Sequence, residues 1–283
     1  MKPPFTYFGG KTGMAPRIVS LMPPHLVYME PFAGSLAVLF AKKPSTHEIV
    51  NDIDGSLVAF WRALRDQPDE LERLCALTPY ARTEYLAADL DEDGLEDLEL
   101  ARRFWVRVNQ SFAKTAGRRT GWSVTTARTQ STAGSVFARL GRFHAAAERL
   151  SQVCIESYDA AGLVDRLATA ETVIYVDPPY VQATRRGQWR GTARATQDDY
   201  RHEMDEEGHR RLAESLRATK ATVILSGYKG DLYEDLYGDW WRLDVPVTVH
   251  SSNARTSKRD GRVESIWSNV ALGEGVMDFG GSA

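Results

Sequence analysis

Four consecutive residues, Asp177-Pro178-Pro179-Tyr180, carry the most specific chemistry in the chain. Each proline holds φ near about −65° and lacks a backbone donor. The turn therefore offers carbonyl oxygens and a carboxylate, and an aromatic ring follows at once. That set suits an amino group attached to a flat ring. Two N–H donors would meet the carboxylate and a carbonyl, and the ring would stack on Tyr180. Hydrogen bonding of this kind localises the lone pair on nitrogen, which can then attack a methyl sulfonium with no metal and no cysteine nucleophile. The plain alternative is a proline-rich turn that merely ends a strand. The apolar run Thr172–Asp177 directly before it favours a site, because ligands of open α/β sheets bind at the carboxyl ends of strands.

Two further turns have the residue types of a nucleoside-binding wall. Glu30-Pro31-Phe32-Ala33-Gly34-Ser35 follows a short apolar stretch, and Gly34 would let the backbone approach a ligand closely. Asn51-Asp52-Ile53-Asp54 follows a second one. An acidic residue about twenty positions after a glycine turn commonly accepts hydrogen bonds from ribose hydroxyls. Asp52 is expected in that role and Asp54 as the N-cap of a helix over Ser56–Leu64. Phe8-Gly9-Gly10-Lys11-Thr12 resembles the end of a phosphate-binding loop, but Phe5 stands where that loop needs glycine and no central strand precedes it. Nucleoside triphosphate binding is not expected. Lys11 could instead meet the carboxylate of an amino-acid-like ligand as a point charge.

The elements that position these turns read as a parallel α/β sheet. Leu26–Glu30, Glu48–Asp52, Val153–Glu156, Thr172–Asp177 and Ala221–Ser226 are expected strands. Helices are expected near Leu36–Phe40 and over Ser56–Leu64 and Glu207–Ala218. Arg242–Val249 and Val263–Ala271 read as a closing antiparallel hairpin. Between the halves the pattern changes. Residues 66–99 hold twelve acids against two arginines, and residues 111–150 hold seven Lys or Arg against one Glu. Helices are expected from Glu96 and over Val136–Leu150, with Ala113–Ser135 a hairpin or mobile loop. The chain is therefore expected to carry a catalytic domain over 1–55 and 151–283, split by a mainly helical insertion at 56–150.

The bulk properties exclude little more. The 283 residues allow a full core, and a net charge of −3 neither favours nor disfavours nucleic acid. The two cysteines, Cys75 and Cys154, lie far apart, which argues against a local zinc site or a disulfide framework. No apolar run is long enough for a bilayer span, and Met1-Lys2-Pro3-Pro4 opens no signal peptide. A cytoplasmic protein with neither membrane nor metal partner is expected.

Tyr7-Phe8-Gly9-Gly10-Lys11, Glu30-Pro31-Phe32-Ala33-Gly34-Ser35, Asn51-Asp52-Ile53-Asp54, an insertion, Glu156-Ser157-Tyr158 and Asp177-Pro178-Pro179-Tyr180 occur in that order. In this the chain resembles the Dam-like DNA N6-adenine methyltransferases over nearly its whole length. The resemblance implies a Rossmann-like class I methyltransferase sheet and S-adenosylmethionine as donor. It places Tyr7, Gly9, Gly10, Lys11 and the turn Glu30 to Ser35 at the donor, Asp52 at its ribose and Tyr158 near its adenine. Asp177 and Tyr180 become the catalytic carboxylate and the stacking ring, and the insertion a target-recognition domain. Tyr7 stands where tryptophan is commoner, and Ser35-Leu36 where a second glycine is common.

A base inside a duplex cannot reach such a turn, so the target must flip out, and the phosphates need cations. Lys114, Arg118, Arg119 and Arg128 surround Trp122 in the glycine-rich part of the insertion. Arg185, Arg186, Arg190 and Arg194 flank Trp189 after the catalytic turn, and Arg255, Lys258, Arg259 and Arg262 form a third group. The first two pair cations with an aromatic and are the expected contacts to double-stranded DNA. Asn109 and Gln110 either read adenine edges or cap their helix. Cytosine N4, an RNA amine, and a DNA-binding protein with a degenerate donor site remain the competing readings.

Overall fold

The computed structural model describes residues 1–117, 120–124, 131–180, 200–247 and 262–273. Seven strands form one sheet: β1 (Val27–Glu30), β2 (His47–Asn51), β3 (Val153–Glu156), β4 (Thr172–Val176), β5 (Thr222–Gly227), β6 (Trp241–Val247) and β7 (Arg262–Ser268). Their order is β3-β2-β1-β4-β5-β7-β6. The first five pair in parallel, while β7 runs antiparallel to both β5 and β6. The expected parallel sheet with a reversed closing pair is thus what the chain forms. Strand order reverses between β1 and β4, the switch point at which such sheets open a crevice beyond their carboxyl ends.

Both faces of the sheet are covered, which is why β4 reads as an unbroken apolar run. Tyr28, Val50, Val173, Tyr175 and Ile224 point into one apolar cluster; Met29, Ile174, Val176, Val223 and Leu225 point into the other. Against the second face lie α9 (Ala160–Leu167), α10 (Glu206–Ala218) and α11 (Asp231–Tyr237). On the first lie α1 (Ala15–Leu21), α2 (Ala37–Ala41) and α3 (Gly55–Asp66). Asp54 caps α3 by accepting from the Ser56 N–H at 3.0 Å, as its position foretold. Leu57, Phe60, Trp61 and Leu64 then recur at helical spacing and are all buried.

The insertion shares the core of the first face. The stretch expected as the insertion, 56–150, takes in nearly all of α3, and its other described helices are α4 (Pro68–Leu77), α5 (Arg82–Ala87), α6 (Asp97–Gln110), α7 (Thr132–Phe137) and α8 (Phe143–Leu150). Phe5 stacks on Trp61 with ring centroids 5.1 Å apart, Phe60 meets Phe104 at 5.5 Å, and Trp105 meets Phe143 edge-on at 5.1 Å. One continuous cluster therefore runs from β1 through α3 to α6 and α8. The single helix expected over Val136–Leu150 is instead two helices joined by a 3-10 turn at Leu140–Arg142. Gly141 sits in that turn, where its low helix propensity gives continuation little support. Within the glycine-rich segment, Ser111 and Trp122 form an antiparallel bridge, the base of a hairpin.

Candidate active site

A cavity of roughly 370 Å³ opens beyond the carboxyl ends of β1, β2 and β4. Tyr7, Gly9, Gly10 and Lys11 line one side; Glu30, Phe32, Gly34 and Ser35 another; Asp52 closes the third, and Asp177 and Pro179 complete the rim. Four separate stretches of sequence thus meet at one hollow. Pro31, Tyr158, Pro178 and Tyr180 do not line it. Pro31 serves through its carbonyl, which accepts from Asn51 Nδ2 at 2.9 Å. Tyr158 is exposed beneath the Arg166 guanidinium, and its backbone is bonded twice to the Asn51 side chain. Asn51 therefore staples the turns after β1 and β3 together.

The glycine positions follow from close approach. Gly9 has φ +72°, and a Cβ there would collide with the Tyr200 hydroxyl. At Gly10 a Cβ would meet the Tyr7 carbonyl at 3.0 Å. Gly34 has φ +44°, and its carbonyl accepts from Trp61 Nε1 at 3.2 Å. Leu36, where a glycine would be at ease, adopts φ 53° although it is not one. Its side chain is fully buried, which offsets a left-handed conformation worth about 1–2 kcal/mol.

Among the carboxylates that line the cavity, Asp52, Glu30 and Asp177 sit in different electrical settings. Asp52 accepts from the N–H groups of Gly34 and Asp54 at 3.1 and 3.0 Å. Burial nevertheless pushes it up to about 7. Burial also pushes Glu30 up to about 8, against the hydrogen bond it accepts from the Tyr28 hydroxyl at 2.8 Å. Asp177 is held differently. Its Oδ1 lies 2.9 Å from Lys11 Nζ, 2.9 Å from the Tyr180 hydroxyl and 2.9 Å from Ser226 Oγ. Burial works against the Lys11 charge, but Asp177 and Glu264 outweigh it and hold the ammonium above its ordinary value. The Pro179 carbonyl lies 3.0 Å from Nε2 of the buried His209 on α10. A proton on that nitrogen donates to it and steadies the turn.

Several residues here had no sequence signal. Glu264 on β7 contacts Lys11 at 3.1 Å and the Tyr180 hydroxyl at 2.9 Å. Ser226 is the last residue but one of β5, and its hydroxyl lies 3.0 Å from that of Tyr175. Tyr200 and Arg201 line the cavity, and Arg201 reaches Asp54 at 3.3 Å and Asp91 of the insertion at 2.6 Å. Glu264 fell in a stretch read only as a strand, and no motif or spacing marked Ser226, Tyr200 or Arg201.

The expected DNA contacts divide. Asn109 faces no groove in this structure: it is fully buried, donates to the Trp105 carbonyl at 3.0 Å and accepts from Arg139 at 2.6 Å. Gln110 is likewise spent, accepting from Ala81 N and Trp122 Nε1 and donating to the Pro79 carbonyl. Lys114 is half-buried with its Nζ on the Asn109 carbonyl at 2.8 Å, and burial lowers it to about 8. Trp122 packs on Tyr80 and under Arg82. Arg118, Arg119, Arg128, Arg185, Arg186 and Arg190 lie outside the described residues, as do Trp189, Arg194, Arg255, Lys258 and Arg259. Phe112, which the sequence did not single out, is 75% exposed beside the hairpin base.

Strand order, the reversed β6–β7 pair and a cavity at the β1/β4 switch point are those of a class I methyltransferase. Residues 7–255 match the model of the D12 class N6 adenine-specific DNA methyltransferases, and the chain belongs to that family. It is similar to the Type II methyltransferase M1.LlaDCHI of Lactococcus lactis subsp. cremoris, with 25% identity over 279 residues that cover 94% of this chain and 95% of that protein. The activity is methylation of adenine in DNA, drawn from a methyl donor. Adenine over cytosine, which the turn alone left open, follows from the family. Among the described residues, no helix is long and apolar enough to cross a membrane.

Proposed function

We propose that the donor is S-adenosylmethionine and that Asp177, Pro178 and Tyr180 hold the exocyclic amine of a flipped adenine from duplex DNA. The observation that carries this is the orientation of Asp177. Three groups hold its Oδ1, while the residue borders the cavity that also presents Asp52. The cavity suits the donor in size and lining. Asp52 fits a ribose diol, Ile53 offers a half-exposed apolar flank to a purine, and buried Glu30 fits an ammonium. The Lys11 ammonium has three donors, and the oxygens of Gly9, Asp177 and Glu264 match all three. That favours a role for Lys11 on the catalytic carboxylate over one on a ligand carboxylate.

When bound, S-adenosylmethionine supplies a methyl group on a positively charged sulfur. Asp177 and the Pro178 carbonyl accept the two N–H bonds of the amine and turn its lone pair toward the cavity. As nitrogen gains positive charge, the Asp177 carboxylate stabilises it and takes up the proton it sheds. Tyr180 is buried against Tyr228, with ring centroids 4.9 Å apart, so it borders the base from the protein side of the turn. Phe112, exposed on the insertion, suits a wedge that enters the stack as the base leaves it. The similarity to a Type II methyltransferase supports a protective role beside a restriction nuclease in the cytoplasm. The test is Asp177→Ala: methyl transfer to DNA, read as methylated nucleosides by mass spectrometry, should vanish while donor binding survives. Retained turnover would sink the assignment.

A further inference from the structure

Glu264 is a buried carboxylate for which holding an amine gives no account. It lies on β7, with its side chain 6% exposed. Burying such a charge is costly unless it is paired. Its Oε1 has two partners, Lys11 Nζ at 3.1 Å and the Tyr180 hydroxyl at 2.9 Å. Both also contact Asp177 Oδ1, each at 2.9 Å. The four groups form a closed ring: the ammonium donates to both carboxylates, and the phenol lies between them with one proton that goes to either.

The charge of that ring matters for the reaction. A Lys11–Asp177 pair alone would be neutral and would offer little to an amine that becomes cationic as it is methylated. With Glu264 the ring holds two negative charges against one positive. Lys11 also has all three donors engaged, so it cannot swing across the face of Asp177 that the substrate needs.

We infer that Glu264 is a positioning residue for methyl transfer, which shares Lys11 and the Tyr180 hydroxyl with Asp177 and so keeps Asp177 a fixed anion toward the target amine. The inference rests on Asp177 being the amine-holding carboxylate. Charged and titratable groups facing Lys11 come from three directions: Asp177 after β4, Glu264 on β7, and the phenols of Tyr180 and Tyr200. Burial opposes the Lys11 charge, and Asp177, Glu264 and Tyr200 together keep it high.

The experiment compares single-turnover methyl transfer, and donor and DNA dissociation constants, for the wild type, Glu264→Gln and Asp177→Ala. Glu264→Gln keeps the size and an acceptor oxygen but removes the charge. Its transfer rate should fall on the order of 100-fold, the scale of a misplaced reacting group. Donor and DNA dissociation constants should stay within about twofold, so that the loss belongs to the transition state. If Asp177→Ala keeps turnover, the site assignment fails and this inference with it. If Asp177→Ala is inactive while Glu264→Gln keeps the wild-type rate, the role of Glu264 alone is overturned. A loss accounted for by weaker DNA binding overturns it equally. Should thermal denaturation show Glu264→Gln unfolded, Glu264→Asp decides. It keeps the charge but withdraws it from Lys11 and Tyr180, so transfer should slow while both dissociation constants hold, and a wild-type rate overturns the inference.

Discussion

The backbone N–H of Gly34 donates to Oδ2 of Asp52 at 3.1 Å. Through that bond the glycine turn after β1 and the acidic turn after β2 become one wall of the cavity. Asp52 holds the wall and borders the cavity with the same carboxylate. Asp52→Asn should therefore weaken S-adenosylmethionine binding by roughly 10- to 100-fold, the scale of a charge-assisted hydrogen bond of about 1.5–3 kcal/mol. Isothermal calorimetry reads this directly.

The same carboxylate predicts a pH dependence. Burial pushes Asp52 up to about 7, and ribose hydroxyls donate to its charged form more strongly than to its neutral form. Donor affinity should rise from about pH 6 to about pH 8 as Asp52 ionises. In Asp52→Asn that rise should be absent. A slope that persists in the variant would assign the titration elsewhere.

Glu30 carries the opposite lesson for stability. Its value in the folded chain is about 8, raised chiefly by burial from 4.5. Between those values the folded state binds the extra proton, so the contribution of Glu30 to stability falls as pH rises through that window. Glu30→Gln, which keeps an acceptor for the Tyr28 hydroxyl, should stabilise the protein at about pH 8 by on the order of 1–3 kcal/mol. Below about pH 4.5 the gain should vanish, since both states are then protonated. Urea denaturation at the two pH values tests the sign. Donor affinity should drop in the same variant, a functional site held at a cost in stability.

How much of this could be read from the chain depended on whether the signal was local. β4 and β5 are buried on both sides and so appear as apolar runs. The turns after β1, β2 and β4 carry residue types that few structural turns need together. The reversed β6–β7 pair showed as two strands separated by a polar stretch. By contrast, Glu264 acts through Lys11 and Tyr180, partners from the two other ends of the fold, and no spacing rule links the three. Ser226 looked like the end of a strand, yet its hydroxyl holds Asp177. Asn109 and Gln110 read equally well as base contacts or as caps. Both are buried and hydrogen-bonded within the protein, and burial is a property of packing rather than of local sequence. The helices α1 and α11, of seven residues each, were too short to show a period.

Asn109 yields a prediction that separates architecture from recognition. Its amide bridges the Trp105 carbonyl and Arg139 inside the insertion. Asn109→Ala removes both bonds and leaves the Arg139 guanidinium short of a partner, a cost of about 1–3 kcal/mol. The melting temperature should fall, and the DNA sequence that is methylated should not change. Sequencing of modified adenines in DNA exposed to the variant would show a relaxed site if Asn109 read bases.

Phe112 is expected to behave in the reverse way. An aromatic ring 75% exposed beside the Ser111–Trp122 bridge contributes little to folding, and surface substitutions of this kind usually stay within about 0.5 kcal/mol. Phe112→Ala should therefore melt like the wild type. Apolar wedges offset the few kcal/mol needed to unstack a base, so losing this one should weaken formation of the flipped state by about tenfold or more, at roughly 1.4 kcal/mol per factor of ten. A fluorescent purine at the target position brightens when it leaves the stack and would report that equilibrium. Placing the target opposite a mismatch makes flipping cheaper and should restore much of the loss. Equal defects on matched and mismatched DNA would exclude Phe112 as the wedge and leave it a simple contact.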